Sequence, residues 1–121
     1  MILIRNQKSL SKSMISVHND GFDSKDRKRV QLDGEDITIL KQNGKYFAFE
    51  SKCPHKGGPL FLCRTLSDDR IMCPSHHIIF NLNNGDVLEN PIPKTMGDYA
   101  NCSKLKTYEV KINGEELEII V

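Results

Sequence analysis

Val30-Gln31-Leu32-Asp33-Gly34-Glu35-Asp36-Ile37-Thr38-Ile39-Leu40-Lys41-Gln42-Asn43-Gly44-Lys45-Tyr46-Phe47-Ala48-Phe49 carries apolar residues at period two, with turn dipeptides at its joints. Val30 and Leu32 alternate into Asp33-Gly34, and Ile37 and Ile39 alternate into Asn43-Gly44. Both dipeptides supply the positive φ angles of a two-residue hairpin turn. Tyr46 to Phe49 completes an antiparallel meander, its aromatics suited to a pleated, half-buried surface. Near the far end, Tyr108 to Ile112 and Leu117 to Val121 flank Asn113-Gly114, a third turn of the same kind. Met14 to His18 reads as a first strand. No segment repeats apolar residues at i, i+3, i+4 and i+7 over three turns, so little helix is expected. Many short strands joined by glycine turns predict an all-β, antiparallel sandwich or small barrel.

The chain has 121 residues, one domain's worth, and a formal charge of +1 from 17 basic and 16 acidic side chains. That balance lacks the basic footprint of a nucleic-acid binder. The apolar runs, such as Met1 to Ile4 and Leu60 to Cys63, fall far short of the roughly 20 residues of a membrane span. Residues 1–13 carry Arg5, Lys8 and Lys12 and no acid; they are expected to form an N-terminal arm, with a mitochondrial presequence as the alternative. A single domain is then expected over 14–121. The charge run from Asp23 to Arg29 reads as a solvated turn.

The stretch from Ser51 to about Leu105 differs in character, holding all four cysteines, all five prolines and three of the four histidines. It reads as loops that carry a site on the β scaffold. Two motifs stand out there, Cys53-Pro54-His55 and Cys73-Pro74-Ser75-His76. At this composition each pattern arises by accident about 0.13 times in a chain of this length. Each loop mixes one thiolate with one imidazole. Structural zinc modules usually pair like with like, whereas a two-iron cluster takes both thiolates on one iron and both imidazoles on the other. A structural zinc site with the same four ligands is the alternative.

With Gly57-Gly58-Pro59-Leu60 after the first motif and Phe80 and Gly85 after the second, the chain resembles Rieske 2Fe-2S domains, in particular the small stand-alone ferredoxin-type proteins. The resemblance implies a β sandwich with a small cluster-binding subdomain, about 51–93, formed by two loops at one tip. It implies one 2Fe-2S cluster, Cys53 and Cys73 on the iron that stays ferric, and His55 and His76 on the iron that cycles to ferrous. The exposed edges of the two histidines would form the electron exit. The implied function is one-electron transfer between a reductase and an oxygenase or other terminal oxidoreductase, with no substrate bond made or broken by this chain. A redox-sensing or regulatory subunit using the same cluster is the rival role. The implied carrier is a cytoplasmic monomer without nucleic-acid or membrane partners, the mitochondrial matrix being the alternative compartment.

Departures from the family pattern carry their own expectations. The positions joined by a disulfide in respiratory Rieske proteins are Gly58 and Ser75 here, so that bridge cannot form. The positions of two hydroxyl donors to the cluster sulfurs are Ile78 and Phe80, which cannot donate, and fewer such bonds lower the potential. A midpoint in the lower half of the roughly −150 to +300 mV Rieske range is therefore expected. His77 stands where the family usually has glycine, which unsettles the local turn and offers a competing ligand; the Cys-x2-His spacing selects His76. Pro91 and Pro93 lie in a third loop expected to shield the cluster, and by the resemblance Gly58, Ser75, His77, Phe80 and Pro91 are the positions expected to surround it. Cys63 and Cys102 read as small buried hydrophobes and His18 as a strand residue, all outside the ligand set. Lys56 reads as a solvated neighbour of His55.

Overall fold

The computed structural model describes residues 2–6, 13–32 and 34–121. Its larger sheet comprises β1 (Ile2–Asn6), β2 (Ser13–His18), β3 (Arg27–Leu32), β4 (Glu35–Gln42), β5 (Lys45–Glu50), β10 (Thr107–Asn113) and β11 (Glu116–Ile120). A smaller sheet comprises β6 (Arg64–Leu66), β7 (Arg70–Met72), β8 (Ile79–Asn81) and β9 (Val87–Glu89). The larger runs in the order β1-β2-β11-β10-β5-β4-β3 and the smaller β6-β7-β8-β9, with every pairing antiparallel. Among the described residues the helical turns are of the 3-10 type, Leu60–Leu62 and Lys94–Ala100. The all-β antiparallel class read from the hairpin signals is the class observed. β3 and β4 pair up to Leu32 and Glu35 on either side of the first dipeptide, whose Asp33 lies outside the described residues, while β4 and β5 meet around Asn43-Gly44 and β10 and β11 around Asn113-Gly114.

Strands β4 and β5 are buried on both faces, which places them between two cores. Ile37, Ile39 and Ala48 join Ile15, Val17, Val30, Tyr108, Leu117 and Ile119 in the first core. Val30 comes from one edge strand of the sheet and Ile15 and Val17 from near the other, so the sheet curls to bring its ends around one apolar centre. On the opposite face Leu40, Phe47 and Phe49 meet Leu60, Ile71, Ile78, Phe80, Leu82, Leu105 and the thiols of Cys53, Cys63 and Cys73. Burying one such aliphatic or aromatic side chain stabilises the fold by roughly 2 kcal/mol. The second core thereby fastens the small sheet, and the two motif loops with it, onto the scaffold.

Three polar contacts fix the join. The Arg27 guanidinium donates to Phe61 O at 2.9 Å and also to the carbonyl of Cys63, tying β3 to the segment that follows the first motif. The charge run from Asp23 to Arg29 is thus only partly a turn: Asp23 Oδ1 accepts from the N–H groups of Lys25 and Arg27, and the run then enters β3. Buried Thr38 and Ser51 share a hydroxyl hydrogen bond of 2.7 Å where the first motif begins. Gly85 gives the third contact, since its N–H donates to Asn81 O at 2.7 Å and its carbonyl accepts from Leu105 N–H at 2.9 Å. A Cβ there would stand 2.0 Å from Leu105 O at a φ of +81°, so only glycine permits this approach.

Two expectations are corrected. Ile2–Asn6, inside the span read as an arm, pairs with β2 as an edge strand; residues 1 and 7–12 of that span lie outside the described residues. The region from Ser51 to Leu105, read as loops, contains the four strands of the small sheet. Each is three residues long, too short to show a period of two.

Candidate electron-transfer site

The two motifs fold into loops with one backbone frame. Cys53 N–H donates to Gly58 O and Gly57 N–H to Cys53 O, both at 2.8 Å; Cys73 N–H donates to Ile78 O and His77 N–H to Cys73 O, both at 2.9 Å. In each loop the fifth residue from the cysteine closes the turn with positive φ, +73° at Gly57 and 62° at His77. The turn that glycine usually makes is therefore kept with histidine in the left-handed region, a conformation costing about 1–2 kcal/mol for an L-residue. The His77 side chain is exposed and lines an open cavity with Met72, Ile79, Glu89, Asn90 and Pro91. His76, one residue earlier, turns towards His55.

Sulfurs and imidazoles segregate by depth. Cys53 and Cys73 are 4% and 1% exposed and within hydrogen-bonding reach of each other. The Cys53 thiol donates to Cys73 sulfur, which holds the Cys73 thiol well below its ordinary value and, with burial, pushes that of Cys53 up. Cys73 sulfur also receives the backbone N–H groups of Ser75 and His76 and the Ser75 hydroxyl. His55 N–H reaches Cys53 sulfur. The rings of His55 and His76 lie outside the sulfurs, edge to face with centroids 4.9 Å apart.

Tyr99 covers both rings. Its carbonyl is hydrogen-bonded to His55 Nε2, and its phenol oxygen lies 2.6 Å from His76 Nε2. Its ring meets those of His55 and His76 at 5.2 and 5.5 Å, close to perpendicular. A carbonyl oxygen can only accept, so His55 Nε2 carries the proton and Nδ1 carries the lone pair. That Nδ1 is buried with no hydrogen-bond partner. A histidine that ligates a metal through one nitrogen and donates from the other to a carbonyl has this arrangement. The residues present therefore fit the 2Fe-2S cluster implied by the motifs.

Several sequence expectations change here. His55 is 8% exposed and His76 half-buried, so the outer edges expected to be bare lie under Tyr99. Pro91 and Pro93 are exposed, and the cover comes from farther along the same loop. The sequence reading passed over Tyr99; its only signal was an aromatic six residues after Pro93. Ile78 and Phe80 are fully buried in the second core, as nondonors suit, and Ser75, one of the positions expected beside the cluster, supplies a hydroxyl donor to Cys73 sulfur. Gly58 makes room for it: a Cβ at 58 would stand 2.5 Å from Ser75 Oγ and 3.5 Å from Cys73 Sγ. Lys56 lies with its ammonium 5.4 Å from the Tyr99 ring centroid. Cys63 and Cys102 are free thiols, the first buried with its thiol pushed up to about 11 by burial. His18 lies on β2 beside Asp20, at 3.2 Å, and Glu115, apart from the cysteines.

Comparison with known proteins agrees with this geometry. The family model for the Rieske 2Fe-2S domain matches residues 13–118. Mouse apoptosis-inducing factor 3 is 30% identical over 102 residues, covering 84% of this chain and 15% of that protein. The chain thus spans about 15% of the length of the curated relatives it matches. The ferredoxin of carbazole 1,9a-dioxygenase from Nocardioides aromaticivorans IC177 superposes with a TM-score of 0.68 at 17% identity, over 85% of this chain and 91% of that one. A chain in the reduced complex between oxygenase and ferredoxin of carbazole 1,9a-dioxygenase gives a TM-score of 0.68 at 23% identity, over 88% and 27%. At these identities the structural likenesses speak for the fold.

Proposed function

The chain belongs to the Rieske 2Fe-2S domain family, whose members hold one 2Fe-2S cluster for electron transfer, and from that premise we propose that it is a ferredoxin-like carrier in which Cys53, His55, Cys73 and His76 are the ligands. When bound, the cluster supplies reversible one-electron chemistry. The chain's own residues set the conditions. The thiols of Cys53 and Cys73 lie in the apolar second core, shielded from water, and their loops aim backbone N–H groups at the sulfurs. His55 and His76 lie on the surface side of the sulfurs, with Tyr99 over their outer edges. The observation that carries the reading is His55 Nδ1, buried without a partner while Nε2 is held by the Tyr99 carbonyl.

The donor is a reductase and the acceptor an oxygenase or other terminal oxidoreductase. A chain of the same fold found in the reduced complex between oxygenase and ferredoxin of carbazole 1,9a-dioxygenase supports a redox protein as partner. A monomer in a reducing compartment, cytoplasm or mitochondrial matrix, completes the reading, and such a compartment suits the four free cysteines. Among the described residues no helix is long and apolar enough to cross a membrane.

Anaerobic reductive titration of the purified protein tests the proposal. The expected result is visible absorption that bleaches on uptake of one electron per chain, with a low-average-g EPR signal. Alanine at Cys53, His55, Cys73 or His76 abolishes both features. A colourless protein containing zinc, or clusters that survive all four substitutions, would overturn it.

A further inference from the structure

In the structure one residue meets the outer nitrogens of both histidines, through its backbone carbonyl at His55 and its phenol at His76. Tyr99 lies in the 3-10 segment Lys94–Ala100, and the Asn90 side-chain amide holds that segment through the Ala100 carbonyl at 2.6 Å. Its carbonyl accepts from His55 Nε2–H, which any residue at 99 would provide. Its phenol is specific. If His76 binds through Nδ1, its Nε2 carries the proton and donates to the phenol oxygen at 2.6 Å, leaving the phenol O–H free to bond outward. Tyr99, whose ring stands close to perpendicular to both imidazoles, is 38% exposed, and Lys56 lies against that ring. Among the described residues no other aromatic ring contacts either histidine.

We propose that Tyr99 is a positioning residue for both histidines and that its exposed ring is the contact from which the electron leaves for an acceptor protein. The inference rests on the ligand reading above. An accepted hydrogen bond makes the donating imidazole more basic and so a better ligand to the oxidised metal. The phenol thus holds the potential down. The ring also occupies the place where an acceptor would otherwise meet bare imidazole, and a central aromatic of this kind is what interfaces favour as an anchor.

The test compares holoprotein with Tyr99→Phe and Tyr99→Ala. Loading is scored first, from absorption and EPR, so that failure of the wild type to carry a cluster is read against the ligand proposal and not against Tyr99. Pulsed EPR of the reduced proteins in H2O and D2O then reads exchangeable protons near the cluster. Tyr99→Phe keeps the ring and the carbonyl, so the coupling of one histidine N–H changes and the other stays, with an upward shift in midpoint potential. Ferric cytochrome c serves as the protein acceptor: one reduced cluster is oxidised as one ferric haem is reduced. Tyr99→Ala slows that second-order reaction about tenfold, equivalent to 1.4 kcal/mol. Benzoquinone, small enough to reach the histidines directly, is reduced at least as fast as by wild type. Unchanged proton couplings and potential in Tyr99→Phe would overturn the positioning role. Unchanged cytochrome c kinetics in Tyr99→Ala would overturn the exit role. Should Tyr99→Ala fail to load, Tyr99→Leu takes its place in the kinetic comparison.

Discussion

Replacing Ser75 by alanine removes the one side-chain hydroxyl that, among the described residues, the structure places on Cys73 sulfur. On reduction the cluster gains negative charge, so a hydrogen bond to a ligand sulfur strengthens and raises the potential. A typical net hydrogen bond contributes about 1 kcal/mol, and a one-electron couple shifts 59 mV for each tenfold change in equilibrium constant, so the loss amounts to about 40 mV downward. Backbone donors from Ser75 and His76 remain, which keeps the sulfur satisfied and the cluster loaded. Gly58 supplies an independent handle. A Cβ at 58 would stand 2.5 Å from Ser75 Oγ but 3.2 Å from Ser75 Cβ, so Gly58→Ala displaces the hydroxyl while leaving the backbone turn in place. The two substitutions are therefore expected to lower the midpoint by similar amounts separately and by little more together. Dye-mediated redox titration followed by EPR measures all four proteins of this cycle. A Ser75→Ala midpoint within about 10 mV of wild type, a quarter of the shift worked from one hydrogen bond, would refute the reasoning. So would full additivity in the double variant, because contacting residues that act through one bond do not add.

The remaining expectations follow from particular contacts. His77→Ala retains the cluster with its absorption unchanged, since the exposed His77 ring serves the turn and not the ligand set; loss of the cluster would transfer the ligand role from His76. Gly85→Ala destabilises the holoprotein by roughly 2–5 kcal/mol in denaturant titration, combining positive-φ strain with overpacking against the Leu105 carbonyl. The Asp36 carboxylate is held well below the usual range, first by its hydrogen bond with Arg29, then by Ser51 and Gln31. Its stabilisation is therefore present above the unfolded value of about 3.9 and lost as pH falls towards the depressed folded value. The gap in thermal midpoint between wild type and Asp36→Asn stays constant from about pH 7 to 5 and narrows below about pH 4; a gap that holds at pH 3 contradicts this linkage.

Legibility differed between hairpins, motifs and cover for physical reasons. Asp33-Gly34, Asn43-Gly44 and Asn113-Gly114 announce themselves because two-residue turns demand positive φ, a local requirement visible in two letters. The cysteine and histidine motifs stand out in the sequence because each packs a thiol and an imidazole into one short turn, Cys53 to Gly57 and Cys73 to His77. The small sheet was not, since its three-residue strands take their stability from Ile71 and Phe80 packing against β4 and β5, contacts distant in the chain. Arg27 looked like one charge in a solvated run, and only the folded arrangement shows its guanidinium against the carbonyls of Phe61 and Cys63. Tyr99 was hidden for the same reason: 44 positions separate it from His55 and 23 from His76, and nothing in a single loop records that approach.

The shared frame of the two loops explains why the mixed motifs give a sorted site. Both cysteines occupy the first position, where the backbone pairs with the residues that close the turn, and both sulfurs face the second core. Both turns close at the fifth position, Gly57 and His77. The histidine comes third in one loop and fourth in the other, so the imidazoles leave their turns at different points yet meet at 4.9 Å. Because they meet on the surface side, each needs an outer partner for Nε2 that sheds none of the site's shielding. A single residue with a carbonyl and a phenol, reaching in from a third loop, satisfies both at once. Depth therefore sorts the two motifs: the thiols are enclosed with the apolar core, and the imidazoles lie outside them under Tyr99, the order that the proposed carrier requires.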